Sequence, residues 1–353
     1  MKGNFLCENH LIMDVSNSYG FAREPVISRM PDGSLLCVFL SGGHTEPENE
    51  NVVLATRSYD DGISWTQPYI LFSHRERAAY CTEIFNAHDI NNPVLFLNTY
   101  VAETRYREMS TFICNTNNSG LTWSDPVSLP GAFSHVNIRQ GIILSNGSWL
   151  FPIYWEEVRE RWDWKQIPTP NTIHDFWPCC CGVLISDDNG KSFSEYGYHS
   201  APFTLMENVC IEAENGHVIM LIRAQSQPFL YRTDSFDYGI TWSQVGPSDI
   251  PSASSKLSIV KYKEHIILIH NAVTDTNNGV FTERKNLSIW ISNDNFATFE
   301  RKISLVTDDT VMFYPHAFID ENTSRLYIAC ENTKESFCLR IPFTDLWGGD
   351  CVL

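Results

Sequence analysis

Residues 58–65 read SYDDGISW, and the same frame returns along the chain. Ser58, Asp60, Gly62 and Trp65 stand at offsets 0, 2, 4 and 7. TNNSGLTW repeats them with Thr116, Asn118, Gly120 and Trp123, SDDNGKSF with Ser186, Asp188, Gly190 and Phe193, and SFDYGITW with Ser235, Asp237, Gly239 and Trp242. A degraded copy, SNDNFATF, keeps Ser292, Asp294 and Phe299 but has no glycine. Each copy carries the chemistry of a hairpin turn. The Asp or Asn side chain accepts backbone N–H bonds inside the turn, Gly supplies a positive φ, and the aromatic anchors the turn to a core. The closing aromatics at 65, 123, 193, 242 and 299 set a period of about 50–70 residues, which points to a propeller or array rather than a short-repeat solenoid.

A second set of turns lies between these copies. MPDGSLL (30–36), INNPVLFL (90–97), LSNGSWL (144–150), AENGHVI (213–219), YKEHIIL (262–268) and DENTSRLYI (320–328) each run into an apolar strand. Six units of four short strands fit 353 residues. The expectation is therefore an all-β fold, a six-bladed β-propeller, with no linker and a single domain over residues 1–353. One segment interrupts the rhythm. Residues 155–178 gather Trp155, Trp162, Trp164, Phe176 and Trp177 among charges and prolines, which suits a wall of a substrate pocket as well as it suits an aromatic plug on the propeller face or a subunit contact.

Composition narrows the partners. A formal net charge of -17 argues against nucleic acid and anionic membrane surfaces, which call for a basic patch. Apolar residues at 43% and aromatics at 13% are enough for a substantial core. No secretory signal is legible in MKGNFLCENHLIMDV, and no stretch has the length of a membrane span. Eleven cysteines, three of them consecutive (Cys179, Cys180, Cys181), make a poor disulfide framework. They read as reduced, buried, small apolar residues of a cytoplasmic protein, with no metal site and no cofactor.

The turns of the first set resemble the Asp boxes (BNR repeats) of the sialidase, or neuraminidase, superfamily, and the likeness covers nearly the whole chain. That resemblance implies a carboxylate clamp of three arginines. FAREPVISRMP puts Arg23 two residues before Pro25, as in the Phe/Tyr-Arg-Ile-Pro motif, with Glu24 in place of the apolar residue. GHVIMLIRAQS supplies Arg223, and FTERKNLSIWISND supplies Arg284. Guanidinium forks suit a carboxylate because they bind it bidentately. The resemblance also implies a tyrosine nucleophile activated by a glutamate. MFYPHAFID places Tyr314 in the first role and LMENVCIEAENG places Glu207 in the second. A phenol with a pKa near 10 needs such a base, and being neutral it avoids setting carboxylate against carboxylate. Glu331, in IACEN, reads either as a partner for Arg23 or as a surface glutamate.

GGHTEPENENVV (42–53) departs from the family, which carries an aspartate acid/base there and an auxiliary arginine just before it. Counting back from the following strand lands on Glu46, counting forward from Arg23 lands on Glu48, and His44 stands two residues before Glu46. The leading expectation is a sialidase-like exo-glycoside hydrolase that releases a terminal acidic sugar, sialic acid or a similar one, with Glu46 as acid. Two alternatives keep the same propeller. One is a uronate-specific lyase or glycosidase using His44 as base, and the other is a carbohydrate-binding propeller without catalysis.

Overall fold

The computed structural model describes residues 8–14, 19–85, 93–104, 109–129, 135–156, 179–273, 284–306, 311–332 and 334–347. They form six antiparallel sheets, the blades of a β-propeller. Blade I comprises Arg23–Arg29, Leu35–Ser41, Val52–Ser58 and Tyr69–Phe72, and blade II comprises Ala78–Phe85, Val94–Tyr100, Met109–Asn115 and Val127–Ser128. Blade III has a divided inner strand, Asn137–Ile138 and Ile142–Ile143, followed by Trp149–Glu156, Cys179–Ser186 and Ser194–His199. Blade IV comprises Leu205–Glu214, His217–Ala224, Phe229–Ser235 and Gly246–Pro251. Blade V comprises Ser258–Tyr262, His265–Asn271, Leu287–Ser292 and Arg301–Ser304. Blade VI takes Phe313–Asp320, Arg325–Glu331 and Ser336–Pro342 from one end of the chain and Glu8–Met13 from the other.

That shared blade closes the ring. Glu8 lies opposite Arg340 and His10 opposite Cys338, and Arg340 Nη1 donates to Glu8 Oε2 at 2.6 Å. Pairing the two ends leaves no open edge between the first blade and the last.

Strands in the middle of a blade are covered on both faces by neighbouring blades, so their sequences read as apolar runs instead of alternating. Leu35–Ser41, Val94–Tyr100 and Cys179–Ser186 are buried throughout. The cysteine triplet belongs to such a strand, and its side chains are packed in the interior, as buried small apolar residues would be. An apolar core fills each gap between neighbouring blades. Phe96, Trp149 and Phe151 lie between blades II and III, Ile267, Ile289 and Ile328 between V and VI, and Phe39, Leu54 and Tyr327 between VI and I.

The Asp boxes join the third and fourth strands of blades I to V. In the first, Gly62 N–H donates to Ser58 Oγ at 2.7 Å and Ser64 N–H to Asp60 Oδ1 at 2.9 Å. The degraded copy folds the same way. Phe296 occupies the glycine position with φ 69°, donates to Ser292 Oγ at 2.9 Å and buries its ring between blades IV and V. Blade VI has no such turn for a topological reason, since its third and fourth strands come from opposite ends of the chain.

Antiparallel order puts both sets of turns on one face of the propeller. The starts of the inner strands, the ends of the second strands and the loops between second and third strands share the other face. There the inner strands of blades I, IV and VI slip register after Arg23, Met206 and Phe313. Each slip places a non-glycine residue at positive φ: Glu24 (48°), Glu207 (48°) and Tyr314 (56°). Such bulges re-aim a side chain, and for residues other than glycine this backbone is sparsely populated.

Candidate active site

These re-aimed residues meet at one cavity of about 580 Å³ on the face opposite the Asp boxes. Its lining includes Arg23, Glu46, Glu207, Arg223, Arg284, Tyr314 and Glu331, drawn from blades I, IV, V and VI. Arg223, at the end of the second strand of blade IV, is 1% exposed and lies opposite Met206, the neighbour of Glu207. Its Nη1 donates to Glu207 Oε2 at 2.6 Å and to the Tyr314 hydroxyl at 2.9 Å, and its Nη2 donates to Gln225 Oε1 at 2.8 Å. Arg284 reaches the same hydroxyl from blade V, with Nη2 at 3.3 Å, and its guanidinium lies 4.6 Å from the centre of the Tyr314 ring. Two guanidinium groups therefore converge on one phenol oxygen.

The electrostatics follow from burial and from these partners. Burial alone would raise the Glu207 carboxyl, but Arg223, Arg139 and Arg284 together hold it below the usual carboxylate range. Glu207 is thus ionised at neutral pH. Burial pushes the Tyr314 hydroxyl up to about 12. Arg284 and Arg223 draw it down and Glu207 pushes it further up, so the phenol is protonated at rest. A protonated phenol and an ionised carboxylate held by one guanidinium nitrogen are the starting states that proton transfer to a base requires.

Arg23 opens the inner strand of blade I, with its side chain 30% exposed and its guanidinium 5.0 Å from the centre of the Phe21 ring. Glu46, from the loop between the second and third strands of that blade, brings Oε2 within 3.9 Å of Arg23 Nη1. The other two candidates for the acid are placed differently. His44 is exposed and Glu48 is partly buried, and neither is among the residues lining the cavity. Glu48 turns back on its own loop and accepts the His44 N–H at 2.7 Å. It lies over Gly43, where a Cβ would stand 2.5 Å from Glu48 Oε2 and where φ is +75°. Gly42 and Gly43 stand in the region where the resemblance expects an arginine, and a Cβ on Gly42, at φ +80°, would meet the backbone oxygen of Glu50 at 2.6 Å.

Of the two readings of Glu331, the surface one falls. The residue is 2% exposed, and its carboxyl accepts the backbone N–H of Glu24. Burial and then the charge of Glu24 push it up to about 8, against the Glu24 N–H and Arg23, so it carries a proton at neutral pH. Of the aromatic segment, Trp155 lines the cavity together with Glu156 and Cys179. Trp162, Trp164, Phe176 and Trp177 lie outside the described residues.

Sequence reasoning missed several residues here. Tyr80, Tyr100, Tyr154 and Asn137 line the cavity, and Arg139 lies buried beside it. A single arginine in VNIRQGI carries no signal of its own. Glu24 was visible as a departure from a motif, but not as part of a site.

The sequence profile of the BNR repeat-like domain matches residues 33–328, well over half of the chain. The chain belongs to the BNR repeat-like domain family. This BNR propeller has no match among the curated proteins. Among solved structures it is similar to the Hadza microbial sialidase Hz136, at 14% identity and TM-score 0.73, over 92% of this chain and 66% of that one. It is similar to the NanB sialidase of Streptococcus pneumoniae at 14% identity and TM-score 0.72, over 95% and 71% of the two chains. It also resembles the intramolecular trans-sialidase of Ruminococcus gnavus at 13% identity and TM-score 0.73, over 96% and 98%. At these identities the likeness is one of fold, a sialidase-like BNR propeller.

Proposed function

We propose that this BNR propeller is an exo-glycoside hydrolase that releases a terminal acidic sugar, sialic acid or a close relative, through a tyrosyl-enzyme intermediate. One observation carries the reading. The Tyr314 hydroxyl accepts from both Arg223 and Arg284 in a cavity that also holds an ionised Glu207, with Arg23 and Glu46 on its rim. The sialidase names of the structural neighbours agree with it.

In this mechanism the sugar carboxylate docks among Arg23, Arg223 and Arg284. Tyr314 oxygen attacks the anomeric carbon as its proton passes to Glu207, and the glycosidic C–O bond breaks. The leaving oxygen takes a proton from Glu46. Water then enters from the vacated side and gives its proton to Glu46, its oxygen bonds to the anomeric carbon, and the tyrosyl bond breaks with return of the proton from Glu207. A phenol suits an anionic sugar because it reaches the reaction centre uncharged.

Incubation with sialyl-lactose and with uronate-ended oligosaccharides, with products read by NMR, tests the proposal. Free acidic sugar is the expected product. An unsaturated uronate would establish elimination instead, and binding without turnover would establish a lectin.

A further inference from the structure

Glu24 and Arg139 form a buried ion pair against this cavity, and apart from the pull of Arg139 on the Glu207 carboxyl the mechanism assigns the pair no part. Glu24 stands at the blade I bulge that corresponds to Glu207 in blade IV and Tyr314 in blade VI, and its positive φ turns it, like them, to the cavity. Its side chain is 10% exposed. Behind it, in the interruption that divides the inner strand of blade III, the Arg139 side chain is 3% exposed. Arg139 Nη1 is 3.5 Å from Glu24 Oε2, and its Nη2 has no hydrogen-bond partner among the described residues. Gly141, two residues on, lets the Phe151 ring pack against the chain, because a Cβ there would meet Phe151 Cε1 at 2.4 Å.

A buried ion pair is a poor device for stability. Apolar residues of similar volume usually serve as well or better, and here one guanidinium nitrogen is left unsatisfied. The motif that this segment resembles has an apolar residue in the place of Glu24. The pair therefore calls for a role at the cavity. A carboxylate there can only accept hydrogen bonds, and the arginines already answer the carboxylate of an acidic sugar, so what remains for Glu24 is a donor on the sugar.

We propose that Glu24 is a specificity-determining residue that accepts a hydrogen bond from a hydroxyl group of the bound acidic sugar, with Arg139 as the positioning residue behind it. The assignment rests on the reading of the cavity as an acidic-sugar site. Burial opposes the Arg139 charge, and Glu24, followed by Tyr154, Tyr80 and Glu207, more than restores it, so the guanidinium stays charged behind Glu24.

The test is titration calorimetry of wild type, Glu24→Gln, Glu24→Met and Arg139→Met with sialic acid and its single-deoxy derivatives. Methionine serves as the apolar variant because a β-branched residue is strained at φ 48°. Wild type should bind one deoxy derivative roughly ten- to a hundredfold more weakly than the parent. Glu24→Met should bind the parent as weakly as wild type binds that derivative and should no longer tell the two apart. Glu24→Gln, close in shape and so the safer fold, and Arg139→Met should lose part of the same discrimination. Equal weakening of parent and derivatives in every variant overturns the proposal, since a merely structural pair acts on all ligands alike. Wild type that binds the acid but distinguishes no derivative overturns it while leaving the clamp standing. Wild type that binds no acidic sugar overturns both.

Discussion

The two faces of this propeller are built by opposite means. On the turn face, every Asp box is held by bonds spanning two to four residues, such as Gly62 to Ser58 and Ser64 to Asp60. The unit recurs in five blades and tolerates Asn118 for aspartate and Phe296 for glycine. On the cavity face, the Arg223 bond to Tyr314 spans 91 positions, the Glu24–Arg139 pair 115, and the Glu24 bond to Glu331 307. The bulge recurs there in blades I, IV and VI, but each copy presents a different residue, Glu24, Glu207 or Tyr314. Local turns are redundant and degrade gently, whereas a site assembled from separate blades depends on single atoms.

The largest effect tests that dependence most directly. Tyr314→Phe should lower kcat by at least about 10⁴-fold, as loss of a nucleophile does, while titration calorimetry still detects the acidic sugar. Comparable turnover by the variant would break the tyrosyl-enzyme reading and with it the claim that one oxygen organises this face.

Glu46→Gln comes next. It should slow hydrolysis of substrates with poor leaving groups by roughly 10²–10⁴-fold yet spare an aryl glycoside that departs unprotonated. His44→Ala, exposed and outside the cavity lining, should change either rate by less than a few fold. The reverse pattern in rate assays would return the acid/base role to His44.

Arg284→Lys should weaken acidic-sugar binding by about 1.5–3 kcal/mol, because an ammonium cannot reproduce the fork over the Tyr314 ring. A neutral sugar should bind weakly to both proteins, and equal affinity for the acid in both would remove Arg284 from the clamp.

The smallest effect belongs to the turn face. Asp60→Ala should cost about 1 kcal/mol in chemical denaturation, a modest figure because the group is exposed, and should leave activity intact. Hydrogen bonds from Ser64 hold the Asp60 carboxyl down at about 2, below its ordinary 3.8. A carboxylate whose pKa is lower folded than unfolded contributes stability above the unfolded value, and that contribution fades as pH falls from about 4 through about 2. Asp60→Asn, copying the Asn118 box, should fold nearly as well and remove this part of the acid sensitivity. A loss as large as that of a core substitution would contradict the redundancy of the boxes.

How much could be read beforehand follows the same division. The Asp-box frame, the apolar middle strands and the cysteine triplet were legible because each depends on neighbours in the chain or on burial from both sides. Arg23, Arg223, Arg284, Tyr314, Glu207 and Glu46 were named through a family resemblance, and the fold brings all six to one cavity. Composition and spacing alone would not have joined them. Glu331 stayed open between a partner for Arg23 and a surface glutamate, because a glutamate at the end of a strand looks the same whether the ring leaves it outside or buries it beside Glu24.

The sequence by itself determined a repeating all-β chain with five Asp boxes, since a turn of eight residues carries its hydrogen-bond partners within itself. Only the tertiary structure decided how the ring closes, with Glu8–Met13 beside Ser336–Pro342, and which loop acid faces Arg23. It alone set Arg139 behind Glu24 and two arginines on one phenol. These are meetings between residues far apart in the chain, and their distances are fixed by the packing of six blades, which no local pattern of residues encodes.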